Sequence, residues 1–161
     1  MKNDIVVKTK RLNLYPLSDA KMNALLEAEV DMVMKQAYSE MISGCKQYPE
    51  QRIWYAIWNM QLNDLTGKSV GDFSFKGLNA NGVVEIGYGV KKEYEGQGYM
   101  TEAVRAIAKW ASEQAGVKDV EAETESDNKA SQRVLEKAGF RPNGVMGEEG
   151  SRYVYVKDKK I

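Results

Sequence analysis

The alternation of apolar and polar positions predicts short strands and helices in mixed order. Val6 and Val7, then Leu12, Leu14 and Leu17, mark strand material that includes the alternating run Arg11-Leu12-Asn13-Leu14-Tyr15. Pro16 closes it, and Ser18 or Asp19 can cap a helix through Met22, Leu25 and Leu26. Helical character resumes over Asp31 to Met41, with Ser43-Gly44 and Pro49 read as breaks. Ile53 to Leu62 alternates as a strand, with Trp54, Ala56, Trp58, Met60 and Leu62 on one face. A hairpin connection over 63–68 leads to a strand from Ser69 to Lys76, and a turn over 79–82 leads to a third from Val83 to Val90. On that third strand Val84, Ile86, Tyr88 and Val90 share one face. Glu85, Gly87 and Gly89 share the other, which suggests a surface left open for a ligand, although glycines also mark bulges.

Beyond the meander the period changes. Thr101 to Ala115 repeats apolar residues at helical spacing and stops at Gly116. Val117 to Thr124 reads as a strand. Ser126-Asp127-Asn128 offers three caps for a helix through Ala138, and Phe140 to Val145 with Arg152 to Lys157 closes the chain as a strand pair around a turn at Gly147 to Gly150. An antiparallel meander joined to strand–helix–strand units predicts an α/β fold, a mixed sheet with helices on its faces.

Composition narrows the chemistry. At 161 residues the simplest organisation is a single domain over 1–161. Lysine and arginine balance aspartate and glutamate, 23 against 23, which gives no bulk electrostatic reason to bind nucleic acid or a membrane surface. No apolar run approaches the ~20 residues of a membrane-spanning helix. Met1-Lys2-Asn3-Asp4 lacks the apolar core of a signal peptide, and Cys45 stands alone, so the expected address is cytoplasmic. There is no histidine. That removes histidine-dependent triads and most zinc sites, so no metal is expected and any acid or base must be a carboxylate, Tyr, Lys, Ser or water. Eight methionines, Met22, Met32, Met34 and Met41 among them, fit core filling better than an adaptable substrate wall.

The stretch Glu85 to Val90, followed by Glu95-Gly96-Gln97-Gly98-Tyr99-Met100-Thr101-Glu102, reads as strand, glycine loop and first helical turn. Unpaired N–H groups at a helix N-terminus make an anion seat, and glycine lets a ligand approach the backbone closely. A Walker loop would need Gly-Lys-Ser/Thr, but Tyr99 follows Gly98. The dinucleotide fingerprint would need a third glycine where Thr101 stands. Taken alone, these residues read first as a plain turn before a helix, because a lone Gly-x-Gly is weak evidence.

A second segment decides among these readings. Asn128-Lys129-Ala130-Ser131-Gln132-Arg133-Val134-Leu135-Glu136-Lys137-Ala138-Gly139-Phe140 resembles the second signature of the GNAT acetyltransferase superfamily, and Val90 to Val104 resembles its acetyl-coenzyme A loop and helix. The opening Thr9 to Ala20 is similar to the branch that acetylates the N-terminal amines of ribosomal proteins. The resemblance implies a GNAT-like fold with a mostly antiparallel central sheet, splayed at the cofactor site. It implies that backbone around Glu95, Gly96, Gln97, Gly98, Tyr99, Met100 and Thr101 holds a pyrophosphate, that Tyr88, Gly89 and Val90 pair through their backbone with the pantetheine arm, and that Asn128 bonds the pantetheine or orders water. Three positions depart from the family pattern. Glu95 replaces the usual Arg or Gln, Met100 is bulkier than usual, and Leu135 stands where many members carry a tyrosine acid. The expected acid therefore moves to Ser131, which is equally an ordinary helix-surface serine.

The implied reaction is direct attack of an amine on the thioester of acetyl-coenzyme A in a ternary complex. Glu85, on the open face of the cofactor strand, is the expected base, with Glu123, Glu148 and Glu149 behind it. A covalent route through Cys45 lacks a basic neighbour in the sequence. The acceptor is a peptide N-terminus or a small amine such as an amino acid, polyamine or antibiotic, held by the region 21–62. A non-catalytic coenzyme A-binding module is the third reading. Trp54 and Trp58 fit a homodimer face as readily as a core, which leaves oligomeric state open.

Overall fold

Among the described residues, 5–157 of this computed structural model, the strands are β1 (Val7–Lys8), β2 (Leu12–Pro16), β3 (Ile57–Leu62), β4 (Ser69–Leu78), β5 (Val83–Val90), β6 (Asp119–Thr124), β7 (Phe140–Met146) and β8 (Ser151–Tyr155). The helices are α1 (Asp19–Ala28), α2 (Met32–Gln47), α3 (Tyr99–Ser112) and α4 (Lys129–Lys137). Met1-Lys2-Asn3-Asp4, read above for targeting signals, lie outside the described residues. The strands form one sheet in the order β1-β2-β3-β4-β5-β6-β8-β7, antiparallel at every pairing except β5 with β6.

The alternation along each strand sends its residues to two different layers. Leu12, Leu14, Trp58, Met60, Phe73, Phe75, Val84 and Ile86 form one buried face against Ala103, Val104, Ile107, Ala108 and Ala111 of α3. Burying each of the larger side chains contributes about 1.5–3 kcal/mol, which makes this layer the main source of stability. On the opposite face Leu17, Met22, Tyr38, Ile42, Cys45, Ala56 and Ile57 make a smaller core under α1 and α2. Each of these two helices is capped locally: Ser18 accepts from the Lys21 N–H, and Asp31 from those of Val33 and Met34.

Three expectations are corrected. The strand expected from Ile53 to Leu62, β3, starts only at Ile57, because Pro49–Trp54 forms a 3₁₀ turn rather than an extended run. Trp54 and Trp58 are buried, stacked edge-on or tilted against Phe75 and Trp110, so neither is free to make a dimer face. Helix α2 also runs straight through Ser43-Gly44. Gly44 is there for space, since a Cβ on it would strike the Tyr55 ring.

One irregularity positions the site. β5 and β6 pair only at Val83↔Asp119, Val84↔Val120 and Glu85↔Glu121, and then part company. Beyond Glu85, β5 stays paired to β4, at Gly71↔Val90, Asp72↔Gly89 and Phe73↔Tyr88. Its other edge is left with backbone groups that the sheet does not satisfy. No helix among the described residues is long and apolar enough to cross a membrane.

Candidate active site

The open edge of β5 feeds directly into the glycine loop. Gly96 (φ 77°) and Gly98 (φ 82°) adopt left-handed conformations, which only glycine enters without cost. Gly98 is the N-cap of α3, and no side chain caps that terminus. The first N–H groups of the helix therefore remain available to an anion, reinforced by the helix dipole.

The loop is held from the N-terminal strand region. Arg11 pairs with Glu102 at 2.8 Å, donates to the Gln97 carbonyl at 3.0 Å, and lies 4.2 Å over the Tyr99 ring. The Thr9 hydroxyl and the Arg11 N–H both donate to the second Glu102 oxygen, at 2.6 and 2.8 Å. Burial pushes the Glu102 carboxyl up, but the hydrogen bonds from Thr9 and Arg11 and the Arg11 charge outweigh it and hold the group below the ordinary range. Through these contacts the Thr9-Lys10-Arg11 opening sets the shape of the loop.

A cleft of about 550 Å³ lies between this loop and α4. It is lined by Tyr88, Gly89, Val90, Glu95, Gly96, Gly98, Tyr99, Met100, Thr101, Asn128 and Ser131, all named from the sequence. Glu95 is exposed at its rim. Gln97 is not in the lining; its carbonyl is taken by Arg11 and its side-chain amide donates to the Glu93 carbonyl. Arg133 and Lys137 also line the cleft and place two cations beside the loop. Their helical spacing, four apart on the Asn-led helix, is the sequence sign of this.

Asn128 caps α4, its side-chain oxygen accepting from the Ser131 N–H at 3.0 Å. Ser131 is in turn bonded to a side chain for which the sequence implies a backbone role only. The Tyr88 hydroxyl lies 2.8 Å from Ser131 Oγ. Burial raises the Tyr88 phenol, with the Ser131 bond opposing it, so the hydroxyl stays protonated. Leu135, at the family's tyrosine position, is fully buried in the core. A tyrosine hydroxyl reaches the cleft from β5 instead.

Glu85 lies elsewhere. Its two oxygens pair with Lys76 at 2.8 Å and Arg152 at 3.0 Å, and it lines neither this cleft nor the cavity described next. Arg152 also bridges Glu121 at 2.8 Å and Glu123 at 2.6 Å, so these carboxylates tie β5, β6 and β8 together. Glu149 contributes its N–H to Glu123 and sits 3.8 Å from Lys76, while Glu148 is exposed. Cys45 is buried, and burial pushes its thiol up, away from the reactive thiolate.

A second cavity, of about 570 Å³, opens on the other face, beneath α1. Leu17, Ala24 and Leu25 form its apolar wall, while Asn59, Ser69 and Asp72 form its polar floor. Gly89 and Val90 belong to both cavities. The end of β5 is therefore a wall common to the two spaces, and a Cβ on Gly89 would meet nothing within 4 Å.

The model of the acetyltransferase (GNAT) domain matches residues 11–141. The chain belongs to the GNAT family. Among GNAT relatives, the uncharacterized N-acetyltransferase YjdG of Bacillus subtilis (strain 168) is 36% identical over 88 residues, 54% of this chain. The match spans 52% of YjdG, about half the length of that relative. The solved RimL ribosomal L7/L12 alpha-N-protein acetyltransferase, in complex with coenzyme A, superposes with a TM-score of 0.71 at 16% identity, over 94% of this chain and 96% of that one. A spermidine N-acetyltransferase SpeG chimera from Vibrio cholerae and hSSAT gives 0.66 at 12% identity, over 91% and 96%. At such identities these likenesses show the GNAT fold alone.

Proposed function

We propose that this GNAT protein is an acetyl-coenzyme A-dependent N-acetyltransferase that moves an acetyl group to a primary amine in a ternary complex. The observation that carries this reading is a pair of cavities, one on each face of the sheet, that share Gly89 and Val90 in their lining. A coenzyme A-binding module would need only the first.

The residues of the first cleft fit the cofactor. Uncapped N–H groups from Tyr99 to Thr101 suit a pyrophosphate, with Arg133 and Lys137 adding positive charge beside it. The open edge of β5 at Tyr88, Gly89 and Val90 suits the pantetheine amides, added as a pseudo-strand. The Asn128 side-chain nitrogen makes no hydrogen bond to any described residue and is free to donate to that arm. This threading directs the thioester toward that shared wall, where a backbone N–H at Val90 can polarise the carbonyl.

Proton supply to the departing thiolate falls to the Ser131–Tyr88 hydroxyl pair. Ser131 alone would be a weak acid; hydrogen-bonded to a phenol it has a donor behind it. The acceptor enters from the α1 side, and the cavity there is open enough for the N-terminus of a peptide, the acceptor class that the Thr9 to Ala20 opening also favours. Thiol release with a panel of peptides, amino acids and small amines tests the reading. Turnover with any primary amine supports it. Coenzyme A binding without thiol release from any of them overturns it in favour of a binding module.

A further inference from the structure

We propose that Asp72 holds the acceptor's ammonium and takes its proton, and that the cavity around it selects a single amine carried by a neutral or acidic molecule. This rests on the acetyl-transfer reading above. Cross-strand register places Tyr15, Asn59, Asp72 and Gly89 in one row on one face of β2 to β5. The members of that row differ in how well they are satisfied. Asn59 donates to the Tyr15 hydroxyl at 3.0 Å and accepts from Ser69 Oγ at 2.6 Å. The Asp72 carboxylate makes no hydrogen bond or ion pair with any described residue, although it is only partly accessible. A half-buried carboxylate without a donor is costly, and an ammonium group placed on it relieves that cost. Burial pushes its carboxyl up, with Lys91 opposing, which is the direction a proton acceptor requires.

Its neighbour in the row is Gly89, in the lining of both cavities. Facing side chains on paired strands stand about 5 Å apart, so an amine on Asp72 has its nitrogen within reach of a carbonyl carbon at Gly89. The ammonium passes one proton to Asp72, and the freed lone pair forms the C–N bond. The C–S bond then breaks, and its electron pair leaves with sulfur. Sulfur takes a proton from the Ser131–Tyr88 pair, the second N–H proton leaves to water, the hydroxyl pair regains a proton from water, and Asp72 later returns its own, so that one proton is released per acetyl transferred.

The charges at the mouth set the selection. Asp72 is the only carboxylate lining the cavity among the described residues, and Lys21 and Lys91 flank the opening. A polyamine would bring further positive charges against two lysines with nothing to receive them. A peptide amine brings one.

The experiment compares wild type with Asp72→Asn and with the double variant Lys21→Glu/Lys91→Glu, using neutral and acidic peptides, spermidine, and calorimetric coenzyme A binding as the check on folding. The expected result is a loss of about 100-fold or more in peptide turnover for Asp72→Asn at unchanged coenzyme A affinity, together with a relative gain for spermidine in the lysine variant. Peptide turnover by Asp72→Asn at the wild-type rate overturns this inference alone. A wild type that prefers spermidine to peptides overturns the selection argument. A wild type that releases thiol with no amine overturns the inference together with the acetyl-transfer reading.

Discussion

The Tyr88 hydroxyl and Ser131 Oγ lie 2.8 Å apart, joining β5 to α4 at the cleft beside the glycine loop. In the proposed reaction this pair supplies the proton that Leu135, buried in the core at the family's tyrosine position, cannot. Ser131→Ala and Tyr88→Phe are each expected to lower kcat by about 10²-fold with little change in KM, the range of a lost general acid. The double variant should lose little more than the worse single one, because the two act as one unit. Steady-state rates for the three proteins check this, and additive losses would separate the two hydroxyls.

The clamp on Glu102 predicts an acid-sensitive loop. Its carboxyl sits below the ordinary range when folded, so its contribution to stability is complete above the unfolded value of about 4.3 and is lost as pH falls through the depressed folded value. Glu102→Gln removes charge-assisted bonds to Thr9 and Arg11 and should cost about 2 kcal/mol, or about 5 °C in Tm, at neutral pH. Coenzyme A affinity should fall several-fold with it. Melting curves from pH 3 to 7 should show wild type and variant converging at the acid end.

The Arg152 cluster is expected to be structural. Arg152→Met would leave Glu85, Glu121 and Glu123 facing one another without their shared cation and should cost about 3 kcal/mol. Glu85→Gln should lower Tm by a smaller amount and leave kcat within a factor of about three. A kcat loss of 100-fold in Glu85→Gln, with Tm unchanged, would return the base to β5.

How far these features are legible in the chain follows from their range along it. The alternation of β5 bounds the strand, and the structure has the same limits, Val83–Val90, because one buried face imposes period two. The Asn128 helix is equally visible, since a cap is a local event. Asp72 carries no local sign. Its place beside Gly89 depends on the β4–β5 register, and its lack of partners depends on what α1 leaves uncovered. The resemblance points to the Tyr88 backbone, and the hydroxyl gains meaning only when α4 packs against β5. Trp54 and Trp58 are ambiguous in the sequence because period two cannot say which face is covered, and α3 covers theirs through Trp110.

Acetyl transfer across the sheet at Gly89 is open to a direct test in Gly89→Val. The position has an ordinary strand conformation and open space beside it, so valine should fold there without strain. Its side chain would stand between Asp72 and the thioester. Coenzyme A affinity and Tm should stay near wild type while thiol release with a good peptide acceptor falls by at least about 100-fold. A Gly89→Val protein that binds coenzyme A and turns over at the wild-type rate would contradict the account.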